Sequence, residues 1–173
     1  MKRLILQRHA KTEAWYEGVD DHGRALLERG RRDALRIAEE LLAMGWTPNL
    51  ALVSTARRAR ETWAAAVTVF PATAYHLDDA LYLAGAGGLE GAAKANDGAE
   101  TLAIIAHNPG IHDFAQGILR EAGSHDHQAA LRLKEKFPTG CAALFEAEDD
   151  GAFIASQFKL VDVIRPKELR PSE

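Results

Sequence analysis

A single cysteine, Cys141, leaves this 173-residue chain no intrachain disulfide framework and suits a reducing compartment. No apolar run approaches the roughly 20 residues a membrane span requires. Met1-Lys2-Arg3 leads directly into a strand too short for a signal peptide, so the expected location is cytoplasmic, with no membrane partner. Positive charge is not in excess either. A formal net charge of -4 and a pI near 6.0 argue against generic binding to a nucleic-acid backbone. Basic residues gather only locally, from Arg29 to Arg36 and from Arg57 to Arg60. What is present is ordinary for one soluble domain, with 47% hydrophobic and 27% charged residues.

Three short apolar runs stand out: Leu4 to Leu6, Leu50 to Val53 and Leu102 to Ala106. Continuous runs without alternation suit strands covered on both faces. Between them Leu27, Ala34, Leu35, Ala38, Leu41 and Leu42 recur at helical spacing and stop before Gly45. A second helical stripe is Ala59, Trp63, Ala66, Val67 and Phe70, ending before Pro71. A third, from Ile111 to Leu119, follows Asn108-Pro109, with Asn108 a candidate N-cap and Pro109 suited to the first helical position. Alternating strands and helices predict a single-domain α/β three-layer sandwich, its central sheet mainly parallel and covered by helices on both faces.

Later the pattern changes. Cys141 to Phe145 and Ala152 to Val161 read as a C-terminal hairpin about Asp149-Asp150-Gly151, with Ala152, Ile154, Ser156, Phe158 and Leu160 on one face. The domain is expected to span 1–161, with 162–173 a charged, proline-interrupted surface tail. The small, glycine-rich stretch from Ala84 to Gly98 defines no clear element. Trp15, Tyr16 and Trp46 are expected to pack at the sheet edge, although Trp15 and Tyr16 also suit a pocket mouth.

In a parallel sheet, ligands sit beyond the carboxyl ends of the strands. The residues ending the three runs are Gln7-Arg8-His9, Ser54 to Arg58, and His107-Asn108. Together they make a cationic pocket in which imidazole can attack a phosphate whose charge guanidinium neutralises. No carboxylate cluster accompanies them, so no metal and no cofactor are expected. Arginine supplies the charge instead.

These segments resemble the histidine phosphatase superfamily, of phosphoglycerate-mutase-like fold, and within it the short SixA-type phosphohistidine phosphatases. The matching stretches are Arg8 to Thr12, Asp21 to Arg24, Gly30 to Ala34, Ser54 to Thr62, His107 to Gly110, Lys136 to Gly140 and Ile164 to Pro166, nearly the whole chain. The resemblance implies that His9 is the nucleophile, that Arg8, Arg58 and His107 hold the phosphate, and that Asp79 stands near the acid position. Asp79 is shorter than the glutamate many members carry there. Thr12, Arg24 and Asn108 are candidate substrate contacts, and Leu27 replaces a hydroxyl-bearing helix cap. The implied activity is metal-independent phosphatase chemistry through a covalent phosphohistidine. The preferred partner is a phosphorylated substrate, in particular a histidine-phosphorylated protein.

A small-molecule phosphomonoesterase is the alternative, and a non-catalytic phosphate-binding module is the reading from another class. Arg24 is as consistent with an ion pair to Asp21 as with a phosphate contact. His125-Asp126-His127, with His112, could be read as metal ligands, but the spacing matches no closed zinc site and a polar loop is the expectation. The Arg29 to Arg32 cluster reads as a solvated helix face or a receiver for an acidic protein.

Overall fold

The computed structural model describes residues 1–169. Six strands form one sheet: β1 (Arg3–Arg8), β2 (Leu50–Ser54), β3 (Ala74–Asp78), β4 (Thr101–Ala106), β5 (Ala142–Ala147) and β6 (Phe158–Ile164). Their spatial order is β3-β2-β4-β1-β5-β6. The first four are mutually parallel, while β5 runs antiparallel to β1 and β6 antiparallel to β5. Five helices cover the faces: α1 (Glu28–Ala43), α2 (Arg57–Ala66), α3 (Ala86–Ala95), α4 (Gly110–Glu121) and α5 (His127–Glu135).

The unbroken apolar runs follow from this layering. Successive side chains of a strand point to opposite faces, so a strand covered twice needs apolar residues at every position. In β1, Leu4 and Leu6 enter one core with Leu52, Ile104, Phe114, Ile118 and Phe145, while Ile5 enters the other with Ile37, Leu41, Val53 and Trp63. Burying a side chain of this size contributes roughly 1.5–3 kcal/mol against leaving it in water.

Several expectations are corrected. The alternation from Ala152 is opposite in phase through Ser156, whereas Phe158 and Leu160 do share a buried face. Phe153 and Ala155 are buried while Ile154 is exposed, and a 3-10 turn at Ala155–Gln157 resets the register before β6. The hairpin's second strand therefore starts at Phe158. It continues through Ile164, so Asp162, Val163 and Ile164 belong to the sheet rather than to a tail. Their charge-apolar alternation concealed a strand whose Val163 and Ile164 are buried. A 3-10 turn at Pro166–Leu169 follows, and 170–173 lie outside the described residues.

Asn108 is not the cap of α4. Pro109 takes that position, after a cis Asn108–Pro109 bond. Leu27 stands at the N-cap of α1 with no side-chain cap, and its N–H donates instead to the Lys11 carbonyl at 2.9 Å. Trp46 is buried, but Trp15 and Tyr16 are 58% and 67% exposed on the loop between β1 and α1, not packed at the sheet edge.

Candidate active site

Parallel pairing puts the ends of β1, β2 and β4 side by side. Arg8 is in register with Ala106, so the residues that follow, His9 and His107, emerge together. Their ring centroids lie 5.2 Å apart at an interplanar angle of 50°. Arg58 comes from the first turn of α2, which begins just after β2 ends, and it is only 2% exposed. Arg8 donates through Nη1 to the Phe137 carbonyl at 3.1 Å, and Asn108 Nδ2 donates to the same oxygen at 3.0 Å. The Lys136–Gly140 segment thereby ties the two strand ends together.

The loop carrying His9 is fixed from two directions. Ala10 N–H donates to Thr62 Oγ1 at 2.9 Å, and that hydroxyl donates to the Arg58 carbonyl at 2.7 Å. On the other side Gly140 N–H donates to the carbonyl of His9 at 2.9 Å. Gly30 permits α1 to approach closely, because a Cβ there would lie 2.2 Å from the Lys11 carbonyl oxygen.

The protonation pattern suits nucleophilic attack. His9 Nδ1 lies 2.8 Å from the Ala10 carbonyl, which can only accept, so Nδ1 bears the proton and Nε2 keeps its lone pair. Burial, reinforced by His107, Arg58 and Arg8, outweighs that hydrogen bond and lowers the His9 pKa to about 3. His107 is lowered to about 3 as well, by burial and then by Arg58. The Ser54 hydroxyl accepts from Ala56 N–H at 3.3 Å and finds an acceptor for its own proton in His107 Nε2 at 2.7 Å. With the Ser54 proton donated along that contact, His107 carries its own proton on Nδ1. Among the described residues, Arg8 Nε, Arg58 Nε and His107 Nδ1 are buried donors with no protein partner. Unpaired donors of this kind, with both guanidiniums close enough to depress the two imidazoles, match the needs of an oxyanion.

Asp21 and Tyr82 complete the surroundings. Arg58 donates to the Asp21 carbonyl at 2.7 Å and to its carboxylate at 3.2 Å, and the Tyr82 hydroxyl donates to that carboxylate at 2.7 Å. Burial opposes ionisation of Asp21, but the Tyr82 hydrogen bond with Arg58 and Arg24 outweighs it and holds the carboxyl below its ordinary range. The Tyr82 ring stands edge-on to His107 with centroids 5.7 Å apart. Asp21 and Tyr82 had no assigned role in the sequence reading. The available signal was the spacing of Asp21 before Arg24, which suggested only that ion pair.

The remaining candidates lie further out. Arg24 pairs with Asp21 at 2.9 Å and donates to Thr12 Oγ1 at 3.2 Å, so both organise the loop that presents Asp21. Among the described residues no hydrogen bond or ring contact joins Thr12 or Arg24 to His9, His107 or Arg58. Asp79 is exposed and accepts from Thr55 Oγ1 at 2.6 Å, and Thr55 in turn lies 3.1 Å from His22 Nε2. His127 opens α5 behind the Asp126 cap, whereas His112 Nε2 lies 2.6 Å from the Leu133 carbonyl. Among the described residues no three His, Cys, Asp or Glu side chains are grouped to hold a metal ion. No helix there is long and apolar enough to cross a membrane.

A parallel α/β domain with paired imidazoles and paired guanidiniums at one rim defines a class built to handle phosphoryl groups. Residues 4–138 match the model of the histidine phosphatase superfamily (branch 1), and the chain belongs to that family. An uncharacterised Mycobacterium tuberculosis protein is 35% identical over 144 residues, 79% of this chain and 84% of that one. Among solved structures, a protein assigned as phosphohistidine phosphatase SixA from Agrobacterium tumefaciens superposes with a TM-score of 0.81 at 25% identity, covering 95% of this chain and 98% of that one. A SixA counterpart from Nakamurella multipartitia gives 0.81 at 25% identity, covering 95% and 96%. The fold is that of the SixA-type histidine phosphatases, and the family membership supports phosphatase activity.

Proposed function

We propose that this chain is a metal-independent phosphatase that removes phosphate from phosphohistidine on a protein, through a covalent intermediate on His9. The observation that carries the reading is the locked tautomer of His9, with Nδ1–H held by the Ala10 carbonyl and Nε2 left unprotonated, its lone pair free beside buried cationic donors.

In the first step Nε2 of His9 attacks phosphorus, and the bond from phosphorus to the substrate nitrogen breaks. The leaving imidazole takes a proton from solvent. Arg8, Arg58 and His107 Nδ1–H bind the phosphoryl oxygens as charge redistributes, each good donor being worth roughly 3 kcal/mol. Water then attacks phosphorus in phospho-His9, releasing inorganic phosphate and restoring the neutral ring. A P–N bond needs less acid assistance than an alkyl ester, which agrees with the exposed, shorter carboxylate of Asp79 at the acid position.

Turnover of a phosphohistidine peptide and of an aryl phosphate, by the parent protein and by His9→Ala, tests the reading. Loss of both activities in the variant is expected, with the peptide the better substrate of the parent. Preference for a small phosphomonoester would replace the substrate assignment, and activity surviving in His9→Ala would end the covalent mechanism.

A further inference from the structure

Beside the site, at the same end of the sheet, lies a half-open cavity of about 460 Å³. It is walled by Lys11 from the nucleophile loop, Arg29 from α1, Lys136 from the α5–β5 connection, and Arg165 and Lys167 after β6. Among the described residues of its lining Asp33 and Glu168 are the acidic members, so cations prevail there.

Its link to the chemistry is covalent and short. Lys11 is two residues beyond His9. Lys136 and Pro138 flank Phe137, whose carbonyl takes hydrogen bonds from both Arg8 and Asn108. Gly140, bonded to the His9 carbonyl, is pressed against Pro166, since a Cβ there would lie 2.8 Å from Pro166 Cγ.

The cations are not equally available. Within the basic cluster of α1, Arg31 is engaged by Glu61 at 3.1 Å, Arg32 lies 3.7 Å from Glu28 and Arg36 lies 4.0 Å from Asp33. Arg165 is held by Glu135 at 3.0 Å, and Lys136 approaches the same carboxylate at 3.6 Å. Lys11, Arg29 and Lys167 make no ion pair among the described residues, and all three are exposed. They come from three separate segments, yet they converge on one opening.

We infer that this cavity is a docking subsite for an acidic segment of the phosphorylated protein, placed to receive carboxylates flanking the phosphohistidine that enters the His9 site. The inference rests on the proposed protein substrate and adds to it a specificity element. A macromolecule is favoured over a small diacid by the kind of donors present. Small anions are fixed by buried, convergent groups, as Arg58 and His107 provide. The free cations here are solvated ends of long, flexible stems, which steer and select a charged surface. A net charge of -4 over the whole chain makes this patch a local exception rather than a general attraction.

The test uses a fluorescent, unphosphorylated Asp/Glu-rich peptide, whose binding does not depend on turnover. Affinity is measured for the parent, the charge-reversed Arg29→Glu/Lys167→Glu protein and the neutralised Arg29→Gln/Lys167→Gln protein, with aryl phosphate hydrolysis followed in parallel. Reversal should weaken binding about tenfold or more and neutralisation less, added salt should weaken the parent's binding, and aryl phosphate kcat/KM should stay within about twofold. Failure of the parent to bind, or equal affinity in all three proteins, overturns the subsite. Competition by succinate as effective per carboxylate as the peptide overturns the macromolecular assignment. Peptide binding that behaves as expected in a parent inactive on every phosphate ester and phosphohistidine probe would sink the catalytic reading while leaving the docking surface standing.

Discussion

Arg58 grips Asp21 twice, Nη1 on its backbone carbonyl at 2.7 Å and Nη2 on its carboxylate at 3.2 Å. One contact fixes the loop between β1 and α1 and the other orients the guanidinium, while Nε has no protein partner. A planar fork held at both ends cannot rotate freely, so its remaining N–H donors are fixed in direction before any phosphate arrives.

Removing this brace should leave the charge but loosen its aim. Asp21→Ala is expected to lower aryl phosphate kcat/KM by about thirtyfold, against about a thousandfold for Arg58→Ala, which deletes the donor itself. Steady-state kinetics on both variants check the order. Equal activity of Asp21→Ala and parent would show that Arg58 needs no such support.

Acid should destabilise the fold before most carboxylates titrate. His9 and His107 have pKa values lowered to about 3, against 6.5 ordinarily. Between these values the unfolded chain binds more protons than the folded one, so stability is complete above 6.5 and declines as pH falls toward 3. The slope reaches at most about 1.4 kcal/mol per pH unit for each ring, or roughly 2–4 kcal/mol for both between pH 6.5 and 5. Urea denaturation at pH 7 and pH 5 measures it, and His107→Gln should reduce the difference. Equal or greater stability at pH 5 would mean the imidazoles are not buried neutral.

Asp79 tests the acid position. It is exposed and tied to Thr55. Asp79→Asn should change phosphohistidine peptide turnover by less than about threefold, whereas a loss near 1000-fold would demonstrate general-acid work.

Gly30 tests the placement of the loop that carries His9. Gly30→Ala forces α1 or Lys11 to move, because the new methyl would sit 2.2 Å from a backbone oxygen that has no flexible end to swing aside. A loss of stability of about 1–3 kcal/mol is expected, with a lower kcat from a displaced His9. Thermal melts and kinetics on the variant check both. An unchanged variant would show that the loop has slack.

β1, β2 and β4, and the meeting of the candidate residues Arg8, His9, Arg58 and His107 at their ends, were legible because strands buried on both faces write continuous apolar runs and these residues close or follow them. β3 was illegible for the opposite reason. As an edge strand, Ala74–Asp78 leaves Tyr75 and Leu77 half exposed, so its pattern looks like a loop. α3 was hidden by glycine, which lowers helix propensity but is tolerated where Leu89 and Ala93 are buried. The contact of Asp21 with Arg58 was illegible because the two lie 37 positions apart. A local pair with Arg24 already accounted for its charge.

The most direct measurement is the phosphorylated intermediate itself. Parent protein mixed with phosphohistidine peptide and quenched in alkali within one turnover should carry phosphate, labile to acid, on Nε2 of His9 and on no other residue. Hydrolysis that proceeds at full rate with no phosphate ever attached to His9, or with the label on a different side chain, would contradict the mechanism.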